Sequence, residues 1–317
     1  MNPGRTIAVG AGVPMDVPAT TVNMACGSSL QALIYGALIL HGGGAGPVLV
    51  GGSEAMSDTP HLLPGLRWGY RMGHRNLPDV MHQDGLRCTI TGLLMGETIE
   101  QLAAKHGITR EASDAFALRS HQRASSADFS AEILVHPRLE LDECIRQEVT
   151  LKALASLQPV FSEGGQITAG NASALSDGAA AMLLGRSLEP GNPAPLARIL
   201  GWSESALEPM DMGEAPVPAV QRLLAEHGLV VGDIDLWEIN EAFAAQVLVC
   251  AQQLNLDHEK LNVAGGAVAL GHPIGASGIR IVVTLIHQLR KQGGGLGVAT
   301  LGIGGGLGLA LLLEVRT

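Results

Sequence analysis

Aromatic residues are scarce in this 317-residue chain, at 3% of the total, so its core must be built mainly from Ala, Val, Leu and Ile. Charged residues are also few, at 16% against 46% hydrophobic, which lets a large core be buried. No segment carries a basic stripe, and the formal net charge is −10. Neutralising phosphates needs clustered Lys and Arg, so nucleic-acid binding is excluded. An anionic cofactor can still be held by a few local donors. The four cysteines, Cys26, Cys88, Cys144 and Cys250, form no CxxC pair. That excludes a zinc site or redox dithiol of the usual spacing and suits a reducing compartment. No apolar run reaches the length of a membrane span, and MNPGRTIAVG lacks the charged start and apolar core of a signal peptide. The expectation is a cytoplasmic protein that binds no membrane. Phosphate-cradling GxGxxG and GxxxxGK[ST] motifs in a strand–helix setting are missing too.

Glycine is what the chain has in excess: 42 residues, about double the usual share of roughly 7%. Most of it flanks apolar runs, as in tight loops between buried elements. Val17 to Val22 reads as a short strand. Ser28 to His41 is apolar on nearly every side, the mark of a central buried helix. Pro47 to Val50 reads as a strand ending in Gly51-Gly52. Residues 53 to 175 break this rhythm. They mix a Gly/Arg/Met-rich loop (Pro64 to Gly73), a helical stretch (Gly96 to His106), a capped helix (Thr109 to Ala127) and polar connectors. This reads as an inserted lid or loop domain. Asp177 to Leu184 returns to strand. From Pro195, strands (Ala197 to Trp202, Asp235 to Ile239, one near Leu261) alternate with helices (Pro216 to His227, Glu241 to Leu254, Ala276 to Arg290). Two strands close the chain (Gly297 to Leu301, Leu307 to Val315). Such alternation implies a mostly parallel sheet covered by helices. The two units look like repeats, with Cys26 and His272 at matching places before a buried helix. The first has roughly 50 fewer residues upstream, room for two strands and two helices.

Four places could carry chemistry. Cys26, in VNMACGSSLQA, falls at a helix N-terminus, where the dipole and free N–H groups lower a thiol pKa; a free Cys is equally often a small buried hydrophobe. His272, in GGAVALGHPIGASG, is flanked by Gly271 and Pro273 and suits a general base or oxyanion donor, or a satisfied structural His. Asn240, in WEINEAFAAQ, ends a predicted strand, where sites of α/β sheets gather; it also suits the N-cap of the next helix. Gly302 to Gly306, in TLGIGGGLG, form either a backbone cradle for an oxyanion or a plain tight hairpin.

Taken with their order, these blocks resemble the thiolase family, the coenzyme A-dependent acyl transferases that cleave 3-ketoacyl thioesters or condense acyl thioesters. VNMACGSSLQA is similar to the block around the family's nucleophilic Cys. NEAFAAQ, GHPIGASG and IGGGLG are similar to its Asn, His and glycine-loop blocks. PHLLPGLRWGYRMG, MGETIEQLAAKHGITREASDAFALRSHQRA and TAGNASALSDGAAAMLL extend the likeness from Asn2 to Val315.

The resemblance implies an α/β fold of duplicated βαβαβαββ halves. Mixed sheets would surround buried central helices, with an inserted loop domain and an incomplete first half. Residues 1–54 would begin the N-terminal half and 55–175 form the loop and coenzyme A region. Residues 176–194 would supply the last strand of that half with its connector, and 195–317 the C-terminal half. It also implies roles. His272 takes the proton of Cys26, an acyl-enzyme forms, and the N–H groups of Cys26 and Gly304 hold the oxyanion. His272 and a water on Asn240 hold the other thioester oxygen. Arg146 meets a phosphate of coenzyme A, while Ser173, Phe161, Met95, Leu175, Ala242 and Phe243 line the pantetheine path. The acyl-CoA thioester is substrate, with no permanent cofactor or metal, and the assembly is a homodimer or tetramer.

Two departures from the family stand out. Its loop reads Cys-Ile-Gly-Gly-Gly, with the Cys as second acid/base, and here Gly302 takes that place. General acid–base catalysis contributes about 10²–10⁴-fold, so carbon–carbon chemistry is expected to be slow. The short N-terminus leads to the expectation of a truncated or mis-started chain, or of a partner subunit filling the gap. Two competing readings follow: a silent subunit that binds acyl-CoA or a paralogue, and a carrier-protein-dependent ketoacyl synthase relative. The NEAFAAQ block, where those synthases carry a second His, speaks against the latter.

Overall fold

The computed structural model describes residues 2–44, 46–136, 139, 141–186 and 194–316. Two helices set its frame. Helix α2 (Ser28–His41) and helix α9 (Ser277–Lys291) cross at their N-terminal ends. A Cβ on Gly278 would stand 2.6 Å from the Leu30 nitrogen, so only glycine allows this approach. The Ile279 N–H donates to Ser29 Oγ at 3.0 Å across the crossing. Each helix then feeds an antiparallel pair. After α2 comes β1 (Val48–Glu54), paired with β2 (Gly178–Leu184) from Val48↔Leu184 to Glu54↔Gly178. After α9 comes β5 (Gly295–Ile303), paired with β6 (Leu307–Val315) from Gly295↔Val315 to Ile303↔Leu307. The repeat expected from the sequence is therefore helix, strand, returning strand.

The second sheet runs β3 (Arg198–Ala206), β6, β5, β4 (Leu236–Ile239). Only β4 and β5 are parallel, which corrects the mostly parallel sheet read from strand–helix alternation. The cause is local. Gly305 (φ 93°) and Gly306 (φ 87°) close a tight turn between β5 and β6, and a tight turn can join only antiparallel strands. Along β6 successive side chains face opposite sides. Ala310 and Leu312 join a core with Trp237, Ile239 and Val247, while Leu309, Leu311 and Leu313 join Leu30, Leu33, Ile281 and Leu285. A strand covered on both faces reads as one apolar run. Each fully buried Leu contributes about 1.5–3 kcal/mol. Helices α6 (Pro216–Glu226) and α7 (Ala244–Leu254) cover one face of this sheet; α2 and α9 cover the other.

Between β1 and β2 lie α3 (Met95–His106), α4 (Arg110–Ser126) and α5 (Leu151–Ala155). A short α8 (Ala267–Leu270) precedes the His272 segment. Thr109 caps α4 through Oγ1, which accepts the Ala112 N–H at 3.2 Å. The stretch Val17–Val22 is not a strand. Carbonyls of Val17 and Ala19 are taken by side chains of α1 (Pro3–Gly10), a helix the sequence reading missed, and of its N-cap Asn2. Arg5 donates to Val17 O at 2.5 Å, and Asn2 Nδ2 donates to Ala19 O at 2.8 Å. The helix expected from Glu241 starts at Ala244, because the Glu241 side chain is drawn into the buried network described below. Near Leu261 the expected strand is a single parallel bridge to Trp237. Most of the expected connector, residues 187–193, lies outside the described residues.

Candidate active site

Cys26 sits in a 3₁₀ turn, Ala25–Gly27, that runs straight into α2. Ala25 has φ 45°, a left-handed conformation uncommon outside glycine, so the turn holds backbone strain beside the thiol. Gly27 packs under Ile303: a Cβ there would stand 2.4 Å from Ile303 Cδ1. The glycine thus seats the Cys26 turn against the end of β5.

His272 enters from the matching turn before α9. Its N–H donates to Ala174 O at 3.0 Å, which ties it to the TAGNASALSDGAAAMLL block. The ring is buried. Nε2 lies 3.3 Å from Cys26 Sγ, and Nδ1 lies 2.6 Å from Ser277 Oγ. Asn240 stands at the end of β4, with its N–H on Thr300 O at 3.0 Å. Its Nδ2 is 3.5 Å from His272 Nε2, and its buried Oδ1 has no hydrogen-bond partner. Asn240 is not a helix cap, since Phe243 holds that position for α7. The backbone N–H groups of Cys26 and Gly304 both point at the Cys26 sulfur. His272 and Gly304 thus meet at the Cys26 thiol, with Asn240 beside the imidazole.

The electrostatics correct one expectation. A helix N-terminus was expected to lower the thiol pKa. Burial instead pushes it up to about 11; the N–H groups of Cys26 and Gly304 pull it down, and the Glu54 carboxylate adds to the rise. The His272 ring is pushed down to about 4, by burial first and then by the Arg280 guanidinium. At neutral pH the pair is therefore a neutral thiol facing a neutral imidazole. A neutral imidazole at 3.3 Å is free to accept a proton from the thiol.

The apolar residues expected along a substrate path do gather. Met95, Phe161, Ala242 and Phe243 pack against one core cluster, and the Phe161 and Phe243 rings meet edge to face at 6.0 Å. Met95 Sδ would lie 3.2 Å from a Cβ on Gly304, so this cluster adjoins the glycine loop. Ser173 N–H donates to Ala242 O at 3.0 Å. Leu175 is exposed, two residues before Asp177. Arg146 is not part of this group. It lines a cleft of about 510 Å³ with Val149, Leu154 and Leu157, and neither Cys26 nor His272 lines that cleft.

At Gly302 a Cβ would stand 2.6 Å from the Met212 carbonyl oxygen. Cys250 is poorly placed to stand in for a thiol at position 302: it is wholly buried, donates to Gly213 O at 3.2 Å, and burial pushes it up to about 12. Cys88 lies by the Gly305 N–H, and N–H groups there hold its pKa below the usual value despite burial. Among the described residues no His/Cys/Asp/Glu group is arranged to hold a metal.

Three features escaped the sequence reading. Ser277 meets His272 from five positions away. Glu54 Oε2 accepts the Gly275 N–H at 3.0 Å, tying β1 to the His272 turn. Glu241 is a buried carboxylate that accepts from Ser120 Oγ (2.7 Å), Asn262 Nδ2 (2.8 Å) and Val268 N (3.0 Å). It fastens the Asn240 segment to the chain leading to His272. Only the acidic residue next to Asn240 was a visible signal.

A thiol set between a buried imidazole and two N–H donors, at the meeting of two helix N-termini, has the geometry of a nucleophile beside a general base. Residues 1–187 match the family model "Thiolase, N-terminal domain", and residues 193–315 match "Thiolase, C-terminal domain". An acetyl-CoA acetyltransferase of Chromobacterium violaceum is 46% identical over 328 residues, covering 99% of this chain and 84% of that one. The human mitochondrial 3-ketoacyl-CoA thiolase structure superposes with a TM-score of 0.93 at 40% identity, covering 99% of this chain and 83% of that chain. The Acat5 thiolase of Ascaris suum, solved with coenzyme A, gives 0.94 at 38%, covering 99% and 84%. The chain belongs to the thiolase family of acyltransferases.

Proposed function

We propose that the protein carries acyl groups from coenzyme A thioesters on Cys26. The observation that supports this reading most is the 3.3 Å contact of Cys26 Sγ with His272 Nε2, with the Cys26 and Gly304 N–H groups beside the sulfur. His272 Nε2 takes the thiol proton as sulfur bonds to the carbonyl carbon. The two N–H groups hold the oxyanion that forms. When the carbonyl returns, the C–S bond to coenzyme A breaks, and the Nε2 proton passes to the departing sulfur. The products are acyl-Cys26 and free coenzyme A. Asn240, with its unpartnered Oδ1, holds a water near the second thioester.

Met95, Phe161, Ala242 and Phe243, with Ser173 and Leu175, line the pantetheine path in this reading, and the inserted residues 55–175 cover it. Arg146 meets coenzyme A phosphate at its own cleft. No permanent cofactor is required. The protein acts in the cytosol as a homo-oligomer.

The second half-reaction is where this chain differs. Making or breaking the carbon–carbon bond needs a group that moves the α-proton, and Gly302 has none. The chain is therefore a fast acyl acceptor and a slow thiolase. An exchange assay isolates the first half-reaction: labelled coenzyme A is incubated with acetyl-CoA and enzyme. Label should enter acetyl-CoA with the wild type and not with Cys26→Ser. Absence of exchange in the folded wild type would favour the silent acyl-CoA-binding subunit.

A further inference from the structure

We infer that Ser277 is a positioning residue that holds His272 in the Nδ1–H tautomer, so that Nε2 is the bare nitrogen facing Cys26. Ser277 is the first residue of α9 and is completely buried. Its hydroxyl carries one hydrogen and has two neighbours. Pro273 O, at 2.9 Å, can only accept. His272 Nδ1 is at 2.6 Å. The hydroxyl hydrogen goes to Pro273 O, so Oγ meets Nδ1 as an acceptor, and Nδ1 must carry the ring proton. Pro273 O also accepts the Ala276 N–H at 2.9 Å and the Ser277 N–H at 3.0 Å, which hold it in place.

The other side of the ring agrees. Nε2 faces the Cys26 thiol at 3.3 Å and the Asn240 Nδ2 amide at 3.5 Å. Both are donors, and a bare Nε2 is the acceptor they need. The ring is neutral, since burial and Arg280 hold its pKa well below the usual value. Two buried groups, Ser277 and His272, and the part-buried Cys26 thus form a relay that begins at a carbonyl. No carboxylate joins it through Ser277. The relay orients the base without placing a formal charge behind it.

In the acyl-enzyme step proposed above, the Cys26 proton moves to Nε2 and the same proton returns to the coenzyme A sulfur. Nδ1–H stays on Ser277 throughout. The role of Nε2 as base rests on that proposed step; the tautomer itself does not.

The test is a ¹⁵N spectrum of the substrate-free, histidine-labelled enzyme, with His272→Ala used to assign the ring. The wild type should show a protonated Nδ1 and an unprotonated Nε2. Ser277→Ala should move the ring toward the Nε2–H form, and Cys26 acylation by acetyl-CoA should slow by about 10²-fold. Ser277→Thr, which keeps the hydroxyl, should restore the Nδ1–H signal and most of the rate. A wild-type ring protonated at Nε2 overturns the inference. So does a folded Ser277→Ala variant with unchanged ring shifts and rate. If that variant fails to fold, the wild-type spectrum alone decides. A correct tautomer with no acylation would leave this inference standing and remove the proposed reaction.

Discussion

Gly302 and Met212 are in close backbone contact: a Cβ at position 302 would lie 2.6 Å from the Met212 oxygen. In the function proposed above, position 302 is where a second thiol would act, and the Met212 peptide lies against it. Gly302→Cys therefore sets chemistry against packing. The backbone oxygen must move by several tenths of an ångström, a strain of about 1–3 kcal/mol by analogy with overpacked cores. The expected outcome is a lower Tm together with faster thiolysis of acetoacetyl-CoA, by tenfold or more within the roughly 10²–10⁴-fold range of acid–base catalysis. Stopped-flow thiolysis and thermal denaturation check both parts. A folded variant with no gain in thiolysis would show that another group moves the α-proton.

The neutral Cys26–His272 pair fixes a pH profile. Burial holds the thiol at about 11 and the ring at about 4. Glu54 raises the thiol further, and Arg280 lowers the ring. Across the window between them Nε2 stays free to accept and Sγ keeps its proton. The pre-steady-state acylation rate should be level from about pH 5 to 10 and fall below about pH 4, where the ring is protonated and cannot act as base. A rate that climbs through pH 6 to 7 would point to an ordinary solvated histidine.

Glu238 on β4 gives a stability prediction. Burial pushes its carboxyl up to about 8; Arg280, 3.8 Å away, opposes the rise, and Glu241 and Glu132 add to it. The folded state thus holds a proton that the unfolded chain loses near the usual carboxylate value of about 4.3. This contribution is complete below that value and is lost as pH rises toward about 8. Glu238→Gln removes the titration. Its stability relative to the wild type should be constant in acid and improve between about pH 5 and 8, by up to roughly 1.4 kcal/mol per pH unit. Urea denaturation at several pH values reads this; a difference independent of pH would contradict it.

Glu241→Ala should be severe. It strands the buried donors Ser120 Oγ, Asn262 Nδ2 and Val268 N. Each unmet buried donor costs about 1–3 kcal/mol, so a loss of about 3 kcal/mol or more is expected in equilibrium unfolding. Glu241→Gln keeps an acceptor oxygen and should lose less.

How much of this was visible beforehand depends on the scale of the signal. Cys26, His272 and Asn240 each sit in a glycine-flanked or strand-end block, and such blocks are readable one at a time. That they meet is a property of the α2–α9 crossing, which no single block shows. Ser277 was hidden because a Ser opening a helix looks like ordinary helix-start chemistry. The Val17–Val22 stretch misled because apolar and β-branched residues suggest a ladder partner, and here Asn2 and Arg5 of the α1 segment take that part. The sheet was misjudged because alternation of elements does not record a glycine turn that reverses β5 into β6. Arg146 was assigned to coenzyme A by likeness alone, and it lines a cleft whose lining includes neither Cys26 nor His272.

The central claim is that Cys26 accepts an acyl group. Intact-protein mass measurement after brief mixing with acetyl-CoA tests it directly. The expected result is one acetyl adduct on the wild type, mapped to Cys26, absent from Cys26→Ser and removed by added coenzyme A. An adduct that survives in Cys26→Ser, or a folded wild type with no adduct, would contradict it.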